Sequence, residues 1–228
     1  MRKSWRQFAM LGIVFAATFA VGRSAITADG QQDAATVRKE LSNVRDASMR
    51  ISRNWTLEQV LAMNHESILA LWKTLPPPTV AEMNGHMMGL VPNAGDKERQ
   101  AQSLDYMFNE NSVRGYWLGK TFHQTGEHRG EGYNIWRFPH GRIVRNLRVA
   151  TEVGPSLIDG KPSFLIIYGA YNKANTLVDE MRKLDDYLFL GAATTAGADG
   201  KRNAPAHFVL TGPTDEWMPF PIPAPSTP

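Results

Sequence analysis

The first regular pattern of apolar positions predicts a helix that begins after Trp55. Thr56 and Gln59 have the spacing of a capping box, in which each side chain bonds the backbone amide of the other residue. Apolar residues then recur at intervals of three, four or seven, at Leu57, Leu61, Ile68, Leu71, Trp72 and Leu75. Three prolines at 76–78 end the pattern, because proline lacks the amide hydrogen that a helix interior requires. One amphipathic helix over 56–75 is therefore expected to pack on the core.

From residue 81 onward, short segments are separated by Gly, Asn and Asp turns. A spacing of about 8 to 15 residues between such turns is typical of an antiparallel sandwich or barrel. Strands are predicted near 81–91, 115–123, 132–138, 143–152, 163–170, 187–194 and 206–210. Asp159-Gly160 is a strong hairpin signal between two of them. The segment 175–186 departs from this pattern, because Leu177, Met181, Leu184 and Leu188 have helical spacing, and it predicts a short helix.

Two of the predicted strands have unusual composition. "SFLIIYGAY" at 163–171 is apolar at both parities, so both of its faces should be covered, one of them by helix 56–75. In "RGYWLGKTF" at 114–122, strand alternation places Gly115, Trp117 and Gly119 on one face, and Lys120 on the other. We expect these glycines to clear space beside the indole where the strand coils to close a barrel.

The N-terminus has the pattern of an export signal. A charged start, "MRKSWRQ", precedes a 15-residue apolar run and the small-residue stretch "RSAITADG", which is suitable for cleavage after Ala28. The run is shorter than the roughly 20 residues that span a bilayer. Four divisions are therefore expected: a signal peptide or membrane anchor at 1–28, a helical spacer at 29–55, the folded domain at 56–218 and a Pro-rich tail at 219–228. The protein is predicted to be periplasmic or secreted, or else anchored on the exported side of the membrane.

Charge and cysteine content exclude several function classes. The formal net charge is +3, but four of the 25 basic residues precede Asp29, which leaves 21 against 22 acidic residues. No nucleic-acid partner is therefore expected, and contact with a membrane is expected only through an uncleaved N-terminal segment. The absence of cysteine excludes disulfides, thiolate metal sites, iron–sulfur clusters and a catalytic thiol.

Three segments resemble a known family. "RGYWLGKTF" at 114–122, "NTLVDEMRKLDDYLFLGAAT" at 175–194 and "AHFVLTGP" at 206–213 resemble the GXWXG proteins and their companion segment DUF4334. "EMNGHMMGLVPN" at 82–93 occupies the place of the family's own motif, with Met87 or Met88 where that motif has tryptophan. The resemblance implies a small antiparallel barrel similar to lipocalins and assigns no catalytic role. The expected fold class is mainly β (α+β), an antiparallel lipocalin-like barrel with a packed N-terminal helix.

The search for site chemistry yields binding residues and no catalytic motif. The six histidines lack the spacing of a metal site, so no metal is expected. No cofactor is implied, although haem with His207 as ligand would fit a barrel. In "GRIVRNLRVATE" at 141–152 each strand face carries an arginine, so one buried arginine needs either Glu152 or an anionic ligand as partner. Aromatic residues in the strands line a cavity or fill an ordinary core. The candidate ligand-binding residues are Trp117, Arg145, Arg148, Tyr168, Phe189 and His207.

These observations favour an exported protein that binds a hydrophobic or amphipathic small molecule or lipid, with aromatic walls and an arginine at a carboxylate or phosphate head group. One alternative is an enzyme, an isomerase, lyase or hydrolase acting on a hydrophobic substrate in the same cavity. Another is a structural envelope protein. An enclosed pocket with apolar walls and one arginine would favour binding, and a buried carboxylate or histidine within hydrogen-bond reach of another titratable group would favour the enzyme. An interior filled with side chains would contradict both.

Overall fold

The computed structural model describes residues 55–93 and 97–215. The predicted signal segment, nearly all of the helical spacer and the Pro-rich tail lie outside these residues. The helices are α1 (Leu57–Ala62), α2 (His65–Trp72) and α3 (Lys97–Phe108). The strands are β1 (Gly85–Leu90), β2 (Gly115–Gly126), β3 (Arg129–Phe138), β4 (Arg142–Pro155), β5 (Pro162–Ile167), β6 (Val178–Asp185), β7 (Leu188–Thr194) and β8 (Ala206–Asp215).

The eight strands form one closed antiparallel barrel. Each strand pairs with the next along the chain, and β8 returns to pair with β1, as in the register Met88 to Thr211. The closed ring leaves no strand edge exposed. The predicted mainly-β, lipocalin-like barrel with packed helices is confirmed. Gly160, in the Asp-Gly turn between β4 and β5, has the positive φ of +74° that such a turn requires.

The barrel interior holds a continuous apolar core, the interior cluster. Its buried members come from all eight strands, the start of the 3-10 turn after β5 and the segments flanking β1: Val80, Met83, Met87, Val91, Trp117, Phe122, Trp136, Val149, Phe164, Ile166, Tyr168, Met181, Phe189, Phe208 and Leu210. Both parities of β5 are buried from Ser163 to Ile166, as its composition predicts.

Helices α1 and α2 pack on the outside of the barrel. The predicted capping box is present, with Gln59 N donating to Thr56 Oγ1 at 3.1 Å and Thr56 N donating to Gln59 Oε1 at 2.9 Å. The prediction of a single helix over 56–75 is wrong, because the Asn64 side chain accepts from the Ser67 amide at 2.9 Å and starts a second helix. The pair covers β7 and β8 rather than β5. The helix–barrel interface consists of Leu57, Val60, Ile68, Trp72, Leu188, Leu190, Ala192 and Val209.

The predicted helix at 175–186 is a strand, β6. Asp179 and Met181 face the interior, whereas Glu180 and Arg182 face outward. Pairing with β5 and β7 supplies backbone hydrogen bonds along its whole length, and this pairing overrides the helical spacing of its leucines.

Helix α3 has no counterpart among the predicted elements. It lies in the long connection between β1 and β2, and its Leu104, Met107 and Phe108 pack against the interior cluster. It therefore covers the end of the barrel where β2 begins. Within the part of the chain that the structure describes, no helix has the length and apolar character needed to cross a membrane.

Candidate functional site

A bulge in β2 directs a lysine into the barrel. Trp117 pairs with Trp136 on β3, but the next pair along the ladder joins Gly119 to Ile135, so the register shifts between them. This shift turns Lys120 inward, opposite Asn134, and corrects the prediction that Lys120 lies on the face away from Trp117. Gly119 is required because its φ is +134° and a Cβ there would lie 2.0 Å from the Met87 carbonyl oxygen on β1.

Glycines also make room for the aromatic rings of the interior. A Cβ on Gly89 would lie 2.5 Å from the Trp117 ring, so the indole occupies the space above this β1 glycine. Gly191 gives Phe208 the same room on β7. The two rings meet edge to face with centroids 5.9 Å apart. The prediction that Gly115 and Gly119 clear space for the indole is therefore wrong in its residues, since Gly89 on the neighbouring strand has that role.

The inward Lys120 belongs to a buried polar group, the interior network, which consists of Trp117, Lys120, Asn134, Tyr168 and Asp179. Lys120 Nζ lies 2.9 Å from Asp179 Oδ2 and donates to Asn134 Oδ1 at 2.9 Å and to the Tyr168 hydroxyl at 2.5 Å. Every member is almost fully buried. An ion pair at this depth needs such additional hydrogen bonds to offset its desolvation.

The remaining contacts join the network into one unit. The Tyr168 hydroxyl donates to Asp179 Oδ2 at 2.9 Å and accepts from Asn134 Nδ2 at 3.0 Å. Trp117 Nε1 donates to Asn134 Oδ1 at 3.1 Å. Burial and the nearby Asp179 carboxylate raise the pKa of Tyr168 well above its ordinary value. The residue is therefore a neutral phenol that donates a hydrogen bond to the carboxylate.

Of the six predicted site residues, three lie in the interior and three do not. Trp117 and Tyr168 belong to the network, and Phe189 is part of the apolar wall. Lys120, Asn134 and Asp179 were not predicted. The one available signal for Lys120 was a single charged residue within an apolar strand, next to a glycine that marks a bulge.

The two arginines of β4 lie outside the barrel. Arg148 pairs with Glu131 of β3, and its guanidinium lies 4.4 Å from the centre of the Tyr171 ring. Arg145 is opposite Ile135, which is on the outer face. Glu131 replaces the predicted partner Glu152, because the register between β3 and β4 shifts and Leu147 has a φ of +53°, which breaks simple alternation. The prediction that Arg145 or Arg148 contacts a ligand inside the barrel is therefore corrected, since both lie on its outer face.

His207 also faces outward, beneath α2. Its neighbours Phe208 and Ala206 alternate with it, and Phe208 occupies the interior. The His207 ring packs on His65, the first residue of α2, with centroids 4.8 Å apart, and its Nδ1 lies 3.1 Å from the Gly191 carbonyl oxygen. Burial and the neighbouring His65 lower the pKa of His207 to about 4. This position corrects the prediction that His207 contacts a ligand inside the barrel.

A surface depression of about 630 Å³ lies beside the covered end of the barrel. Its lining includes Leu104 and Phe108 of α3, together with Tyr116, Glu110 and Arg137. Leu104 and Phe108 also pack against the interior cluster. These two side chains therefore separate the depression from the barrel interior.

The fold and the site define a closed antiparallel barrel with a buried, hydrogen-bonded ion pair near one end. In residues 55–93 and 97–215, no group of three or more His, Asp or Glu side chains is placed to hold a metal ion. No family model and no curated protein matches the chain. A crystal structure of a protein from Thermomonospora curvata matches with a TM-score of 0.47 and 22% identity, over 73% of this chain and 97% of that chain. The resemblance to the GXWXG proteins remains a prediction.

Proposed function

We propose that the protein is an exported binding protein that holds an apolar or amphipathic small molecule, or a lipid, inside the barrel. The supporting observation is the interior network. A buried ion pair is often replaceable by apolar side chains with no loss of stability, so packing alone is a weak reason for one in this interior. A ligand with an apolar body and a polar end matches an interior that is mostly apolar and has its largest group of polar side chains at this network.

The network also lies toward the end of the barrel at which we propose that a ligand enters. Tyr168 directly follows β5, Asp179 is near the start of β6 and Trp117 near the start of β2, so the network lies toward the end that α3 covers. The side chains of Lys120 and Asp179 keep 5% and 4% of their surface accessible, so they are not sealed as completely as the Arg182 side chain, at 1%. Displacing Leu104 and Phe108 would connect this end to the surface depression.

Native mass spectrometry and thermal shift test the binding proposal. The full chain purified from its own host should carry a copurifying small molecule, and a lipid extract of that host should raise its melting temperature. The double variant Lys120→Met/Asp179→Leu should lose this shift. The control Lys201→Met/Asp199→Leu removes an ion pair of similar composition that is exposed on the surface, and it should keep the shift. A bare polypeptide whose melting temperature no extract changes would contradict the proposal.

Export is proposed from the N-terminal pattern, which suits cleavage after Ala28. The mature protein isolated from its host should then begin at Asp29. An intact N-terminus on membrane-bound protein would support the anchored alternative, and an intact N-terminus on cytosolic protein would contradict export.

An enzyme is the second candidate, and one observation favours it. The Tyr168 phenol lies within hydrogen-bond distance of both Lys120 and Asp179, so three titratable groups meet in a buried site. Asp179 Oδ1 would accept a proton from the substrate or from an attacking water, as an isomerase, lyase or hydrolase requires, and Lys120 and Tyr168, which both contact Oδ2, would position the carboxylate. Substoichiometric protein should then convert a component of the lipid extract over time, and Asp179→Asn should bind that component without converting it. An extract unchanged after prolonged incubation would leave only the binding function.

A further inference from the structure

We propose that the ligand group that reaches the interior network is an uncharged hydrogen-bond donor, such as an alcohol. This inference rests on the proposed binding function and specifies the chemistry of its ligand. It follows from counting which donors and acceptors of the network are already used, and from the charge that the network carries.

The cation of the network has no proton left for a ligand. An ammonium group has three N–H donors. Those of Lys120 are directed to Asn134 Oδ1 at 2.9 Å, to the Tyr168 hydroxyl at 2.5 Å and to Asp179 Oδ2 at 2.9 Å. A carboxylate or phosphate head group would therefore find no free donor on Lys120.

The neutral members of the network are also used. The Tyr168 hydroxyl donates once, to Asp179, and accepts twice, from Lys120 and Asn134, which fills its capacity. Asn134 Oδ1 accepts from both Trp117 Nε1 and Lys120 Nζ. These oxygens cannot bind a ligand without breaking an existing bond. Of the two N–H groups on Asn134 Nδ2, one donates to the Tyr168 hydroxyl at 3.0 Å, and the other can still donate to a ligand oxygen, which a hydroxyl group supplies.

One strong acceptor remains. Both contacts of Asp179 run through Oδ2, and Oδ1 makes no hydrogen bond with any residue in the described part of the chain. A carboxylate oxygen accepts hydrogen bonds and cannot donate them. The ligand group that completes the network must therefore offer an O–H or N–H to Asp179 Oδ1.

The charge of the network decides against an ionic ligand. Lys120 and Asp179 sum to zero, so a buried ligand charge would have no counterion among them. An anion would lie against the Asp179 carboxylate, and an ammonium group would lie close to Lys120, which shares that carboxylate. The inferred uncharged group differs from the anionic head group that the sequence predicted. That prediction rested on the arginines of β4, which lie outside the barrel.

Four probes with the same alkyl chain test the inference: 1-decanol, decyl methyl ether, decanoic acid and decylamine. Each is titrated into the full wild-type chain at neutral pH, with binding measured by calorimetry and by tryptophan fluorescence. We expect 1-decanol to bind about tenfold more tightly than the ether, the difference that one hydrogen bond makes, and both ionic probes to bind more weakly than 1-decanol. The variant Lys120→Gln/Asp179→Asn removes both charges at nearly constant volume and should reduce the preference for alcohol over ether.

The outcomes separate this inference from the function on which it rests. If the ether equals the alcohol, or if the acid or the amine binds most tightly, the inference is overturned while interior binding stands. If none of the four probes binds, both are overturned. The wild-type ranking decides the question even if the double variant fails to fold.

Discussion

Asp179 and Glu180 are neighbours on β6, yet they lie in opposite kinds of environment. The Asp179 carboxylate faces the interior, where Lys120 and Tyr168 both contact Oδ2 at 2.9 Å. The Glu180 carboxylate faces outward beneath the loop between β4 and β5. Its Oε1 accepts from the Leu157 amide at 2.9 Å, and its Oε2 is buried without a hydrogen-bond partner. Burial raises the pKa of the Glu180 carboxyl.

Buried polar atoms without a partner occur on both sides of the barrel wall. Outside, the orphaned buried atoms include His207 Nε2 and His65 Nδ1 at the boundary between α2 and β8. Inside, Trp136 Nε1 of the interior cluster also lacks a partner, whereas the network leaves only Asp179 Oδ1 without a hydrogen bond among its side-chain oxygens. Breaking the ion pair of the interior network should therefore cost much of the free energy of unfolding. The outer face should contribute stability that depends on whether partnerless groups such as His207 are protonated.

Removing one partner of the interior pair should have the largest effect. Asp179→Leu leaves the Lys120 ammonium buried without its counterion, and such losses cost about 3–5 kcal/mol of unfolding free energy. The double variant Lys120→Met/Asp179→Leu removes both charges and should recover at least half of that loss. Urea denaturation of the two variants and of wild type measures these differences.

The matched control is Lys201→Met/Asp199→Leu, which removes an exposed pair and should change stability by less than about 1 kcal/mol. If the single variant Asp179→Leu is as stable as wild type, the network is not the cooperative unit that its hydrogen bonds indicate.

Acid should destabilise the folded protein through protonation of His207, which lies outside the barrel beneath α2. The folded-state pKa of about 4 lies below the ordinary value of 6.5, so the unfolded chain binds the proton first as the pH falls. The contribution to stability is complete above pH 6.5 and is lost progressively down to about pH 4, by ~3 kcal/mol for a shift of this size. His207→Phe keeps a ring against His65 and should remove this part of the pH dependence. Urea denaturation across this pH range measures it.

His128→Gln is the control for that experiment, because His128 is exposed, with 75% of its side chain accessible. It should follow the wild-type pH dependence. A wild-type protein and a His207→Phe variant that lose stability in parallel would show that protons taken up elsewhere dominate acid unfolding.

The fold was largely predictable from local sequence, and its exceptions have identifiable causes. The Asp159-Gly160 turn and the alternating strands indicated a barrel or sandwich, because turn chemistry and strand alternation are local. The helical spacing of Leu177, Met181 and Leu184 misdirected the prediction for β6. That strand exists because two neighbouring strands bond it, and those partners are distant in sequence.

The site was less predictable than the fold. Trp117, Tyr168 and Phe189 follow from large aromatic residues in strands. Lys120 turns inward only because of the bulge at Gly119, which depends on how closely β1 approaches. One such shift reverses the face of every later residue in a strand. Asp179 could not be inferred either, because the helical spacing of its segment concealed the alternation of β6.

The smallest predicted effect has the opposite sign from the others. Because the pKa of Glu180 is raised in the folded protein, the folded state binds more protons than the unfolded state once the pH exceeds 4.5, and stability falls as the pH rises. Glu180→Gln removes the ionisable group and keeps an oxygen for the Leu157 amide. It should therefore be more stable than wild type at neutral pH by up to about 1 kcal/mol, and this advantage should shrink in acid.

Thermal unfolding at neutral and acidic pH, with the exposed substitution Glu127→Gln as control, measures the difference. A Glu180→Gln variant that is less stable than wild type at neutral pH would show that the outer carboxylate is as well compensated as Asp179, and the contrast between the two faces of β6 would disappear.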